Sequence, residues 1–140
     1  MKNYILLAII IGMGIFSING FTSEEEYVGW DYVRIVTPGN KETGKILFEA
    51  KTEEGSYKYV SINVFSKKYT VSRKDLPRLK GFPLNSLNIT HEAGYPEIGG
   101  HTVHFKLIRY TLHSKSQMKE LLRISISKGR GMEIQGPVNK

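Results

Sequence analysis

Four histidines, His91, His101, His104 and His113, fall within 23 residues of one another. Imidazole is the commonest neutral metal ligand and a general base near neutral pH, so this cluster is where chemistry is sought first. His101 and His104 lie three apart, a spacing that brings two ligands together only on a helix. The residues around them, TVHFKLIRYTL, alternate in polarity as a strand does. On a strand the two rings point to opposite faces: His101 with Val103, Phe105 and Leu107, and His104 with Lys106, Ile108 and Tyr110. A zinc ion held tetrahedrally at about 2.0–2.1 Å is then available only across strands, with His91 and Glu92 on a neighbour. His91, His101 and His104 are therefore the candidate metal ligands, and no cofactor is expected. Asp31, Glu49, Asp75, Glu92 and Glu97 make a carboxylate pair only if the fold brings two of them together. No strained turn marks a nucleophilic serine. The chain has no Gly-x-Ser-x-Gly elbow, no phosphate-binding Gly-Lys loop, no His-Glu-x-x-His and no EF-hand loop. These residues point away from catalysis.

A second pattern mixes tyrosine with base: Tyr57-Lys58-Tyr59, Lys67-Lys68-Tyr69, then Arg73 and Lys74, and later Lys106, Arg109 and Tyr110. A phenol offers a flat apolar face with one hydroxyl, and a neighbouring cation adds charge. Together they suit sugars, anionic polymers and protein interfaces. The same tyrosines also serve to pack a sheet while the lysine stems lie over them.

The chain has 140 residues, 20 basic and 13 acidic, and no cysteine. That is about one domain, and it excludes disulfide scaffolds, thiol nucleophiles and thiolate metal sites. Residues 21–60 hold eight acids against five bases; residues 61–140 hold five acids against fourteen bases. A basic half of this kind attracts anionic partners.

The elements that must position these residues have a period of two. Tyr27–Thr37 is rich in aromatic and β-branched residues and stops at Pro38-Gly39-Asn40. Lys45–Lys51 and Ser56–Phe65 follow, joined by Glu53-Glu54-Gly55-Ser56. In the latter strand Val60, Ile62 and Val64 share one face, and Tyr57, Tyr59, Ser61, Asn63 and Phe65 the other. A short continuation is expected over Lys68–Ser72. Arg73–Gly81 reads as an exposed loop or a single helical turn, Ser86–His91 as a strand, 93–100 as a loop and Thr102–Leu112 as a long strand. Ser114-Lys115-Ser116-Gln117 matches a capping box and predicts a short helix carrying Met118, Leu121 and Leu122. Leu122–Ser127 returns to strand, Lys128–Gly131 turns, Met132–Ile134 pairs back, and Gly136–Lys140 reads as a polar tail. The fold class expected is mostly β: a single antiparallel β-sandwich or barrel-like domain with one short helix.

Ahead of this domain stands an export signal. Lys2 precedes the apolar run Tyr4–Ile18, fifteen residues that span only about 22 Å as a helix, short of a hydrocarbon core of about 30 Å. The layout is that of a signal peptide over 1–20, or an uncleaved anchor, with the domain at 21–140. The expectation is a secreted or periplasmic binding module, or one anchored outside the cytoplasm. Its partner is an acidic protein or an anionic envelope polymer, and export disfavours nucleic acid. Membrane contact is expected only through the N-terminal segment. The other readings are a small secreted hydrolase or His-dependent metal protein, and a membrane-tethered structural module.

Overall fold

The computed structural model describes residues 30–94 and 100–139. The expected export segment, the Tyr27–Gly29 start of the first expected strand, and Tyr95, Glu97 and their neighbours lie outside the described residues. Among the described residues, eight strands form two antiparallel four-stranded sheets, each strand beside its neighbour in sequence. The first sheet is β1 (Tyr32–Asn40), β2 (Gly44–Glu53), β3 (Ser56–Val64) and β4 (Lys67–Thr70); the second is β5 (Asn88–Glu92), β6 (Thr102–His113), β7 (Ser116–Ser127) and β8 (Gly131–Asn139). Two short 3-10 turns, Leu76–Leu79 and Leu84–Ser86, connect the sheets. Among the described residues there is no α-helix, and none long and apolar enough to cross a membrane.

Alternation builds the core. Ile46, Phe48 and Ala50 of β2, Val60, Ile62 and Val64 of β3, Val103, Phe105 and Leu107 of β6, and Leu122, Ile124 and Ile126 of β7 are all buried in one cluster. Phe48 and Phe105 stack across the gap with ring centroids 5.6 Å apart and planes 22° from parallel. The two sheets thus share one core in a sandwich-like arrangement. The connecting segment closes it with Leu79, Phe82 and Leu84, all buried.

Register is set by two-residue turns. Glu54–Gly55, Phe65–Ser66 and Ser114–Lys115 each place both residues at positive φ, a backbone whose twist matches the flanking strands of a hairpin. This overturns the helix expected after Ser114. Twelve consecutive pairs run from Thr102↔Ser127 to His113↔Ser116. A helix of two turns is marginal on its own, so the unbroken ladder prevails: the serine of the apparent capping box forms half of the hairpin tip, and its glutamine pairs with Leu112 in β7. The polar tail is also corrected: Gly136–Asn139 continues β8, with Val138 opposite Leu121. Arg78 holds it there, donating from Nη2 to the carbonyls of Ile134 (3.0 Å) and Gly136 (2.7 Å). A register shift lies between Leu121 and Arg123. Gly136 absorbs it with φ +99, and a Cβ there would lie 2.6 Å from the Leu121 carbonyl oxygen.

A third correction concerns Tyr57. The register shifts between Lys51 and Thr52, so that Lys51 faces Tyr59 while Thr52 faces Tyr57. The extra residue, Lys58, flips Tyr57 to the same side as Val60. Tyr57 is buried, and its hydroxyl donates to the Phe82 carbonyl at 2.5 Å.

Two substitutions test this architecture. Phe105→Ala is expected to cost about 3–5 kcal/mol, read as a lower urea midpoint. Lys115→Gly removes the strain of a side chain at φ 75 and is expected to raise stability by about 1 kcal/mol, whereas in a helix the same change would lower it.

Candidate functional site

His91 and His101 meet on one face of β5 and β6, and His104 stands apart from them on the other. At the end of the core-facing side, His91 stacks on His101 with ring centroids 5.1 Å apart, and His91 Nε2 lies 2.9 Å from His101 Nδ1. The β1–β2 turn reaches over to them. Asn40 Nδ2 lies 3.1 Å from His91 Nδ1, and Glu42 lies 3.5 Å from His101 Nε2 and 3.8 Å from Lys128 Nζ. The turn is held rigid for this, since Asn40 Oδ1 accepts from the amides of Glu42 (2.8 Å) and Thr43 (2.9 Å). With both rings protonated at Nε2, donors and acceptors alternate along the whole chain: Asn40 to His91, His91 to His101, His101 to Glu42. This is a polar link between the sheets.

His104 is on the outer face, as the alternation predicts. Its Nδ1 lies 2.8 Å from Ser125 Oγ, and its Nε2 lies 2.8 Å from Glu92 Oε2. The hydrogen bond from His104 holds the Glu92 carboxyl below its ordinary value of 4.5. Among the described residues, no group of three or more His, Asp or Glu is placed to hold a metal ion. His91 and His101 share one face and His104 the other, so the three do not form one ligand set.

The eleven tyrosines and bases singled out by the sequence divide between the sheets. Tyr57 belongs to the core. Tyr69 lies opposite Ile62, on the core side of edge strand β4. Lys58 pairs with Glu53 at 3.2 Å. Arg73 and Lys74 are exposed in the connection. Arg109 is fully engaged: it pairs with Glu120, donates from Nη1 to the Lys80 carbonyl at 2.6 Å, and covers the Phe82 ring at 4.4 Å. That pairing holds Glu120 below its usual value. Lys106 and Tyr110 lie on the outer face of the second sheet, away from Tyr59, Lys67 and Lys68 on the first.

One part of the pattern does converge. Outside the core, β2 carries Lys45, Leu47, Glu49 and Lys51, each alternating with a buried neighbour. Cross-strand pairing adds Tyr32 and Tyr59 on either side of Lys51, Arg34 and Ser61 beside Glu49, and Val36 and Asn63 beside Leu47, with Lys68 beyond Asn63. Glu49, the acid of this face, is taken up by Arg34 (3.4 Å) and by the Tyr59 hydroxyl (2.8 Å). Burial, and then the hydrogen bond to Glu49, push the Tyr59 phenol up to about 12. Burial and Glu49 also raise Tyr32.

At the Phe65–Ser66 end of this face, Lys45, Leu47, Asn63, Ser66, Lys67 and Lys68 line an open basin of about 420 Å³. Among the described residues, none of the three lysines forms an ion pair. The carboxamide oxygen of Asn63 is shielded from solvent and has no hydrogen-bond partner among the described residues. Sequence reading had Lys67 and Lys68 but missed Tyr32, Arg34, Lys45 and Lys51. The signal was present in KILFEAK, where Ile46, Phe48 and Ala50 inward require Lys45 and Lys51 outward.

The chain matches no protein-family model, no curated protein and no solved structure.

Glu92 and Glu120 titrate below their ordinary value when folded, so each contributes stability above that value and loses it as the pH falls through the folded one. Urea unfolding measured from pH 7 to pH 3 is expected to show a decline that is shallower in the Glu92→Gln/Glu120→Gln double variant. That variant should also be the less stable protein at pH 7.

Proposed function

We propose that this chain is an exported, non-enzymatic β-sandwich that binds an acidic partner, an acidic protein or an anionic envelope polymer, through the outer face of its first sheet. The observation that supports it is the meeting of Lys45, Lys67 and Lys68 around one basin with no acidic side chain in its lining. Free cations on a flat face bind by Coulomb attraction, which salt screens over about 8 Å at physiological ionic strength. Tyr32 and Tyr59 extend the same face with aromatic surface suited to a chain lying across the strands. The export segment places the module in the periplasm or outside the cell. It is the only part expected to touch a membrane.

A small hydrolase has one observation in its favour: His104 stands between Ser125 and Glu92 as a base stands between nucleophile and carboxylate. Ser125 is only 8% exposed. It also lies mid-strand, where the ladder occupies the backbone amides that an oxyanion would need. Absence of Ser125 labelling by a fluorophosphonate probe removes this reading.

Binding is tested with poly-L-glutamate and polygalacturonate by calorimetry. Both are expected to bind at 50 mM salt and to be released at 0.5 M. Lys45→Ala/Lys68→Ala should weaken binding about fivefold or more at low salt, while Lys106→Ala on the opposite face leaves it unchanged. Affinity indifferent to salt, or equal loss from Lys106→Ala, sinks the proposal.

A further inference from the structure

In the second sheet, β6 and β7 run on past the strands that flank them. Their pairing reaches His113↔Ser116, whereas β5 stops at Asn88↔Lys106 and β8 at Glu120↔Asn139. The sheet thus narrows to a two-stranded arm closed by the Ser114–Lys115 turn, and such a ribbon is marginal in water without a third strand. On the β5 side the cover ends in steps. β5 pairs as far as Lys106, and the Ile108 N–H donates to Ser86 Oγ at 2.9 Å. Backbone groups of alternate residues point to the same edge. Those of Tyr110 and Leu112 therefore follow on that side, and among the described residues nothing takes them up. The other edge of this sheet is closed, because Arg78 holds the Ile134 and Gly136 carbonyls of β8.

The side chains along the open edge are unmet as well. Tyr110 is 60% and Leu112 82% exposed, on one face. Where the connecting segment leaves β6, Pro83, Asn85, Ser86, Ile108 and Tyr110 line a hollow of about 330 Å³. The acid of the arm, Glu120, is taken by Arg109. Among the described residues, Lys115 and Lys119 form no ion pair.

We infer that the edge of β6 at Tyr110 and Leu112 is a strand-addition site for an extended, acidic segment of another protein. The unmet groups are backbone donors and acceptors two residues apart, which is the repeat of an extended peptide. Main-chain hydrogen bonds hold such a strand and pockets select its side chains. Aliphatic side chains on it cover Tyr110 and Leu112 and enter the hollow, and carboxylates meet Lys115 and Lys119. A second copy of the arm would bring four lysines into one contact, so charge selects a foreign acidic strand. The site is separate from the first-sheet face and stands or falls without it.

The probe is a capped octapeptide of alternating glutamate and valine. NMR spectra of the protein are expected to show shifts at the Tyr110 and Leu112 amides on titration. Affinity is read by calorimetry in Lys45→Ala/Lys68→Ala, so that the first-sheet lysines do not contribute. The same peptide N-methylated at every residue keeps its charge but loses its donors, and is expected to bind at least tenfold more weakly. Leu112→Pro removes an N–H that faces away from β7; it should weaken binding about fivefold and leave the circular dichroism unchanged. Tyr110 and Leu112 signals unmoved by the peptide, or equal binding of the methylated form, overturns the proposal. Slow hydrogen exchange of both amides before any peptide is added also overturns it: sedimentation as a dimer then gives the edge to a second copy, and as a monomer to another segment of the same chain. The NMR titration of the unsubstituted protein decides the matter even if Leu112→Pro fails to fold.

Discussion

Two sheets that share no strand are held together chiefly by what their inner faces bury. The stack of Phe48 on Phe105 stands at the middle of that contact, with aliphatic side chains from β2, β3, β6 and β7 around it. Every outward-facing group owes its position to this constraint, because a strand that must turn Ile46, Phe48 and Ala50 inward has no choice about Lys45, Leu47, Glu49 and Lys51. A slip of one residue would invert both sets. The two-residue left-handed turns at Glu54–Gly55, Phe65–Ser66 and Ser114–Lys115 guard against that slip by fixing where the β2–β3, β3–β4 and β6–β7 hairpins reverse.

The polar links are placed where they do not compete with the core. At one end, the Asn40–His91–His101–Glu42 chain ties the β1–β2 turn to the second sheet. At the other, Tyr57 and Arg109 grip Phe82 and its neighbours, so the connecting segment is fastened to both sheets. Arg78 does the same for β8. These contacts use up much of the positive charge that looked available for a partner. Arg78, Arg109 and Lys58 are occupied with carbonyls or carboxylates of the chain itself. The lysines of the first sheet's outer face are not, and this difference separates charge that builds the fold from charge free to meet a ligand.

Much of the architecture was legible in the chain. The β class, the hairpin at Glu54–Gly55, the long strand from Thr102 and the opposed faces of His101 and His104 all follow from period-two alternation and turn chemistry. Three local readings failed for one shared reason: pairing with residues outside the segment overrode a local pattern. Ser114–Gln117 has the composition of a helix cap, but the β6 ladder extends to meet it. Gly136–Lys140 looks like a tail, but Arg78, 58 residues earlier than Gly136, holds it in β8. Tyr57 alternates with Tyr59 as neighbours two apart should, until a bulge opposite Lys51 and Thr52 inserts Lys58 between the two faces.

The amino-acid order by itself determined which side chains are apolar on alternate positions, how many cations the chain carries and where it can reverse, because these are properties of a few adjacent residues. Only the tertiary structure decided which cations face one another. Lys45 lies more than twenty residues before Lys67 and Lys68, and the three meet because β2, β3 and β4 pair side by side in one register. The pairing of β5, β6 and β7 sets Lys106 and Tyr110 on the other sheet. Proximity between strands is a product of register and packing, and no short stretch of sequence contains it.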